Sequence, residues 1–289
     1  MTVPSFARSL AGSRLLAAIG AHDALGARLA EEAGFDAVWA SGFELSAAHA
    51  VPDASIVTMT QQLEAVRAMA AAVTVPIIAD LDTGYGNAVN AIHAVTAFEA
   101  AGAAAVVIED KRFPKDTSLL PGGRQVLEET PVFAGKIRAA CDARRAPDLV
   151  VIARTEALIA GRGRDEALAR AEAYVAAGAD AVLVHAKDPD PGEVFAVARA
   201  WQGTAPLVLV PTAYPQVTEA EIAALGTVRL VIYGNHGLRA AVAAMARVFR
   251  RIRADGSAAG VEAEIASLRR IFELQGVAAM KAAEREYGG

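Results

Sequence analysis

The chain has 289 residues, 54% of them hydrophobic but only 6% aromatic, and a net charge of −5 at pH 7. That length suits one large α/β domain as well as two small ones, and the composition implies an Ala/Val/Leu/Ile core such as helices packed on a parallel sheet provide. The acidic balance gives no basis for a nucleic-acid or anionic-membrane partner, no stretch reaches the ~18 apolar residues needed to cross a bilayer, and a single cysteine, Cys141, excludes internal disulfides and thiolate metal sites.

In chain order, strand candidates are Leu15–Gly20, Ala37–Ala40, Ile77–Leu81, Ala105–Glu109, Leu149–Ala153, Ala181–Val184, Leu207–Val210 and Leu230–Tyr233. Helical patterns separate them at Asp23–Ala33, Thr60–Ala72, Val89–Ala101, Pro131–Ala143, Asp165–Ala177, Pro191–Trp201 and Glu219–Leu225. One phrase recurs: a helix end, a Gly suited to the left-handed cap conformation, then a short apolar strand. It appears around Gly34, Gly102 and Gly178, and loosely around Gly226. Eight such units are what a (β/α)8 TIM-type barrel requires, whereas a doubly wound open sheet would show fewer strands. An eighth helix, Leu238–Arg253, and a further amphipathic helix, Val261–Gln275, follow. The expected organisation is one barrel domain over 1–289, with 254–289 a helical extension.

In such a barrel the chemistry collects where the strands finish. The third strand runs into Asp80-Leu81-Asp82-Thr83-Gly84-Tyr85-Gly86-Asn87. Two carboxylates at i and i+2 on a strand share a face, and side by side on an apolar strand they are costly unless a positive charge lies between them. A hard divalent cation such as Mg2+ is the simplest such charge. Glu109 ends the next strand, and Asp53, in the long connection after the second strand, could join the acids. Ordinary rim salt bridges to Lys111 and Arg154 are the competing reading; clustering of four acids at strand ends favours the metal. Arg154 and His185 stand on neighbouring strand ends, with Ser41 and the Gly42 turn across the mouth. A guanidinium fork, a hydroxyl and turn amides suit the oxygens of a phosphate or phosphonate. The polar segment Lys111 to Arg124 is long enough to be a lid. His49 and His93 lack acidic partners and read as structural.

Several of these stretches resemble the phosphoenolpyruvate mutase/isocitrate lyase superfamily over nearly the whole chain. They are Trp39-Ala40-Ser41-Gly42, the Asp80–Asn87 run, Ile108-Glu109-Asp110-Lys111, Phe113-Pro114-Lys115, Ala153-Arg154-Thr155-Glu156-Ala157 and Gly234-Asn235-His236. Ala40 and Thr155 depart from the usual Gly and Val. The superfamily's carbon–carbon lyases carry a Cys and His in the lid; here the matching stretch is Lys115-Asp116-Thr117-Ser118-Leu119, so the resemblance is to the P–C bond enzymes. Among those, mutases place Asn where this chain has Thr117, and the hydrolytic branch has Thr.

The resemblance implies metal-dependent hydrolysis of 3-phosphonopyruvate to pyruvate and phosphate. The alternatives are a phosphoenolpyruvate mutase, a C–C lyase or decarboxylase on another 2-oxo acid, or a binding protein without turnover. It implies Asp80, Asp82 and Glu109 as ligands of Mg2+, or of Mn2+ or Co2+. Ser41, Gly42, Phe43, Ser118, Arg154 and His185 would bind substrate. Asp53, Lys115, Thr117, Arg154 and His185 would act in catalysis. It further implies a cytoplasmic homotetramer, a dimer of dimers, with the last helix exchanged between subunits.

Overall fold

The computed structural model describes residues 5–288. Eight parallel strands, β1 (Leu16–Ala21), β2 (Ala37–Ala40), β3 (Ile77–Asp80), β4 (Ala103–Glu109), β5 (Val150–Thr155), β6 (Ala181–Val184), β7 (Leu207–Leu209) and β8 (Val228–Tyr233), close in sequence order into a barrel. The helices are α1 (Phe6–Leu10), α2 (Ala24–Glu32), α3 (Gly42–Ala48), α4 (Met59–Ala72), α5 (Ala88–Ala100), α6 (Thr130–Ala143), α7 (Gly163–Ala176), α8 (Gly192–Ala200) and α9 (Glu219–Ala223), followed after β8 by α10 (His236–Asp255), α11 (Leu268–Leu274) and α12 (Val277–Tyr287). The (β/α)8 architecture expected from the repeat is therefore present.

The local reasons are visible at the helix ends. Gly34, Gly102, Gly178 and Gly226, the recurring glycines, all have positive φ between 77° and 107°, a region where a Cβ would be strained. At the other end, Asp23 caps α2, and Thr58 and Asn87 form capping boxes with Gln61 and Asn90, each satisfying amides the first turn leaves open.

The strands are buried on both faces, as a parallel sheet under helices requires. One face packs against the helices: Val38, Ala79, Val106, Val151 and Val182 lie in clusters with helix residues such as Phe98, Ile137 and Val197. The alternate face fills the barrel with Leu16, Trp39, Ile78, Val107, Ile152, Leu183, Val208 and Ile232. Following these inward positions two residues further along each strand leads to Ser41, Asp80, Glu109, Arg154, His185 and Gly234, and in the same series to Thr212 beyond Val210. The apolar filling thus gives way at one mouth to a polar layer.

The chain divides after His236 into two compact units. In the second, the expected helix Val261–Gln275 is interrupted: a short 3-10 turn at Glu262–Glu264 ends before Ser267, whose hydroxyl caps α11. Gly276, at φ 71°, then starts α12, which the sequence reading did not foresee. Val242, Met245 and Phe249 lie at helical spacing along α10 and are exposed, as are Leu268, Phe272 and Met280. No helix among the described residues is long and apolar enough to cross a membrane.

Cys141 is buried on α6 with its thiol donating to the Gly178 carbonyl at 3.2 Å, and burial pushes its pKa up to about 11. At pH 8 its reaction with a disulfide reagent should run about a hundredfold slower than that of a free thiol. Stopped-flow labelling checks this; labelling at the free-thiol rate in the folded protein would contradict the packing described.

Candidate active site

The polar layer sorts by charge. Asp80 ends β3 and Glu109 ends β4, both buried. Asp82 joins them differently from the expected strand alternation. β3 stops at Asp80, and Asp82 takes a left-handed conformation, φ 50°, which Asp tolerates better than most residues. Its amide donates to Asp80 Oδ1 at 3.1 Å and its carbonyl accepts from the Glu109 amide at 2.8 Å. Behind this turn, Lys136 on α6 donates to the Thr83 carbonyl at 2.7 Å. Tyr85 donates to Gln62 on α4. The turn is therefore fastened from outside the barrel.

Lys115, on the lid segment, reaches into the acids. Its ammonium lies 2.6 Å from Asp82 Oδ1, 3.2 Å from Asp53 Oδ1 and 3.8 Å from Glu109 Oε1. Burial works against its charge, but the acids hold its pKa well above the ordinary lysine value. Burial likewise pushes Asp80 upward and Asp82 up to about 7, with Lys115 pulling the other way.

Whether these residues suit a metal ion is decided by their donor atoms. Asp53 Oδ1, Asp82 Oδ1 and Glu109 Oε1 are buried and face the Lys115 ammonium, and Glu109 Oε2 faces Arg154 Nε at 3.3 Å. Gly42 leaves the space these oxygens need: a Cβ there would stand 3.0 Å from Asp82 Oδ1 and 3.1 Å from Asp80 Oδ2. Among the described residues no group of three His, Cys, Asp or Glu side chains is placed to hold a metal ion. Mg2+ does not demand one, since it keeps several waters and takes one or two carboxylates together with substrate oxygens. Four buried carboxylates are hard oxygen donors of the kind such an ion takes, and in this structure the Lys115 ammonium supplies the positive charge among them.

A second cluster adjoins the first. Glu156, two residues beyond Arg154, is fully buried and gathers three basic groups. It accepts from Arg154 Nε, pairs with Lys111 at 3.3 Å and lies 2.9 Å from His185 Nδ1. Burial alone would raise its pKa; Arg154, His185 and Lys111 together hold it well below the carboxylate range. Arg154 also reaches Glu109 at 3.3 Å, which joins the two clusters. Burial and the Arg154 guanidinium push His185 below the ordinary histidine value. On the outer side, Asp110 accepts from the Glu156 amide at 2.8 Å, Tyr174 at 2.7 Å and Arg170 at 3.2 Å. Asp110 thus fixes the backbone that carries Glu156.

The lid segment is joined back to the barrel. Lys111 and Leu127 form an antiparallel bridge. The Ser118 hydroxyl donates to Glu156 Oε2 at 2.7 Å and accepts from Lys111 and Arg154 at 2.7 and 3.0 Å. Ser118, Thr117 and Lys115 line a cavity of about 130 Å³ together with Ser41, Phe43, Asp53, Asp80, Arg154 and His185. Of the residues the sequence singled out, this brings all but three to the cavity wall. Asp82 and Glu109 stand behind Lys115, and Gly42 lies against the carboxylates with its amide donating to Asp80 Oδ2 at 3.1 Å. Ser41 is the N-cap of α3, a helix not foreseen, and its hydroxyl accepts from the Glu44 amide at 3.2 Å. The Gly42 amide is therefore engaged with a carboxylate rather than open to an anion.

Fold and site together define a (β/α)8-barrel enzyme with a small, charge-sorted cavity at the C-terminal mouth of its strands. Residues 6–253 match the family model described as phosphoenolpyruvate phosphomutase, and the chain belongs to that family. It is 56% identical over 279 residues to a phosphonopyruvate hydrolase from Variovorax sp. (strain Pal2), covering 96% of each chain. A solved phosphonopyruvate hydrolase in complex with oxalate and Mg2+ superposes with a TM-score of 0.94 at 53% identity, covering 99% of this chain and 98% of the other. A phosphoenolpyruvate phosphomutase from Streptomyces platensis subsp. rosaceus superposes equally well, with a TM-score of 0.95 at 50% identity and 98% of each chain covered.

Replacing the buried Glu156 by Gln leaves Arg154 and Lys111 facing one another without their shared counter-charge. Breaking a buried pair in this way costs roughly 3–5 kcal/mol. Urea unfolding of Glu156→Gln should show a loss of that order, and a loss under about 1 kcal/mol would mean the cluster is not held by this carboxylate.

Proposed function

We propose that this enzyme hydrolyses the P–C bond of 3-phosphonopyruvate to pyruvate and phosphate. The observation that carries the reading is the pairing of a carboxylate cluster with an adjoining Arg154–His185 cluster in one small cavity. Similarity to a phosphonopyruvate hydrolase along 96% of the chain supports it.

Asp80 and Asp82, with Glu109 and Asp53 in support, would hold Mg2+ or a similar divalent cation directly or through water. When bound, that ion supplies a positive charge for the keto and carboxylate oxygens of the substrate, where enolate charge develops. Arg154 and His185 bind the phosphonate oxygens, and Ser41 lies on the opposite flank of the cavity. Their role is to spread the charge of a loose phosphoryl-like transition state. Burial and Arg154 disfavour the charged form of His185, so its contribution is to orient an oxygen by hydrogen bonding. Lys115 keeps its proton among the acids and closes the lid side against bulk water. The backbone at Gly42 serves the carboxylates; its lack of a side chain is what lets Asp80 and Asp82 approach.

Thr117 decides what captures the phosphoryl group. It lines the cavity from the lid. A Thr is shorter than the Asn of the mutases, which leaves room for a water. A mutase is the second reading, favoured by the equally close superposition of a phosphomutase. We further propose a cytoplasmic homotetramer in which the last helices are exchanged between subunits. The exposed apolar residues of α10, α11 and α12 support that assembly.

Purified protein with 3-phosphonopyruvate and Mg2+ should release phosphate and pyruvate in equal amounts, and chelation should abolish release. Thr117→Asn should shift the product toward phosphoenolpyruvate. Equal mutase activity in the unmodified enzyme would favour the second reading. Sedimentation should give a mass near four chains, and a monomer at micromolar concentration would end the assembly proposal.

A further inference from the structure

Asp82 reaches the other acids on a turn of unusual backbone. Asp82, Gly84, Tyr85 and Gly86 have φ of 50°, 84°, 61° and 148°. Two of the four are not glycine, and such conformations persist where the surrounding contacts fix them. Within the turn the Gly84 amide donates to the Leu81 carbonyl at 2.8 Å. From outside the barrel, the Lys136 ammonium on α6 donates to the Thr83 carbonyl at 2.7 Å, one residue beyond Asp82. Gly84 makes room for that approach, since a Cβ there would lie 3.3 Å from Lys136 Cδ.

An ammonium is a costly group to place there. Lys136 is 5% exposed. Burial holds its pKa below the ordinary lysine value, and Glu128 offsets that only in part. The buried ammoniums of Lys111 and Lys115 lie 3.3 Å from Glu156 and 2.6 Å from Asp82. Lys136 instead directs its charge at a peptide carbonyl, with the Phe133 ring centroid 6.0 Å away. A buried charge with a neutral partner stabilises a fold less than an apolar side chain of the same volume would. What the ammonium provides is a strong donor for one carbonyl. Thr83 is fully buried, so without that donor its peptide would have to rotate to find another partner. Asp82 is one peptide away, with its amide on Asp80 Oδ1 and its carbonyl on the Glu109 amide.

We propose that Lys136 is a positioning residue that sets the affinity of the acid cluster for its divalent cation, by fixing the turn that presents Asp82. This rests on the reading of Asp80, Asp82 and Glu109 as the metal ligands. Lys136 is not part of the cavity wall and acts through the Thr83 carbonyl. Groups that orient a metal ligand without touching the ion typically contribute about ten- to a hundredfold in affinity. Arg154, His185 and Ser118 are held by Glu156 and not by this turn. Losing Lys136 therefore weakens metal binding and leaves the reaction intact once metal is saturating.

The test compares the unmodified protein with Lys136→Met, Lys136→Gln and Lys136→Arg. Met fills the space of the stem and cannot donate, the Gln amide stops one bond short of the carbonyl, and Arg keeps a cationic donor. Mn2+ affinity is measured by electron paramagnetic resonance on the metal-free proteins, folding by circular dichroism, and phosphate release from 3-phosphonopyruvate over a range of Mg2+ concentrations. Mn2+ affinity should fall about ten- to a hundredfold in the Met and Gln variants and stay within about fivefold in the Arg variant. The Mg2+ concentration for half-maximal release should rise in step, while kcat at saturating Mg2+ stays within about threefold. A variant that had merely lost folded protein would show fewer sites of unchanged affinity. Unchanged Mn2+ affinity in Lys136→Met, or in Lys136→Gln where the Met variant does not fold, would overturn the proposal. So would an Arg variant as weak as the Met variant, or failure of both Met and Gln variants to fold, which would make Lys136 a support of the whole barrel. Absence of Mn2+ binding by the unmodified protein would overturn the reading of the acids as ligands, and this proposal with it.

Discussion

Buried charge of both signs, held apart by only a few ångströms, is the constraint on which the site depends. Asp53, Asp82 and Glu109 surround the Lys115 ammonium, and Glu156 collects Arg154, Lys111 and His185. Removing so many ions from water carries a large desolvation penalty, which is offset only when each charge has a close partner and satisfied hydrogen bonds. Glu156 meets that condition. The acids by β3 meet it only through the single Lys115 ammonium, and burial pushes Asp82 up to about 7. Four carboxylates around one ammonium leave negative charge in excess, which suits the place to a further cation.

The barrel supplies the precision. The inward faces of β2 to β6 lead to Ser41, Asp80, Glu109, Arg154 and His185, so most of the site is built from the ends of rigid elements rather than from loops. Besides Asp53, in the connection after β2, the exceptions are Asp82, carried by a left-handed turn, and the lid residues. Both are fastened: the turn through Lys136 and Thr83, the lid through Ser118 and the Lys111–Leu127 bridge. Asp110 stands between these layers. It accepts from Tyr174 and Arg170 on α7 while holding the Glu156 amide, so α7 and the basic cluster share one anchor.

Much of this was legible in the sequence because it follows from periodicity and turn chemistry. The helix–Gly–strand phrase marks the repeat, since only a left-handed residue ends each helix so tightly, and the strand ends follow from it. What escaped was set by tertiary register. Asp80 and Asp82 read as neighbours on one strand face, but the strand ends between them and a turn delivers the second acid. The Ser41-Gly42 turn begins a helix, because Ser41 caps it and the Gly42 amide is drawn to Asp80. Glu156 stands in the sequence two residues past Arg154 with no sign of its role, since its gathering of three basic groups is a property of the assembled ring. The helix α12 lacked a distinguishing start signal beyond Gly276.

The central claim is that the acids at β3 and β4 hold one divalent cation. Electron paramagnetic resonance of Mn2+ added to the metal-free protein, with and without oxalate, tests it most directly. The account predicts one bound ion per chain, tightened by oxalate and lost in the Asp80→Ala, Asp82→Ala double variant although that variant remains folded by circular dichroism. Binding undiminished in the double variant, or none in the unmodified chain, would contradict it.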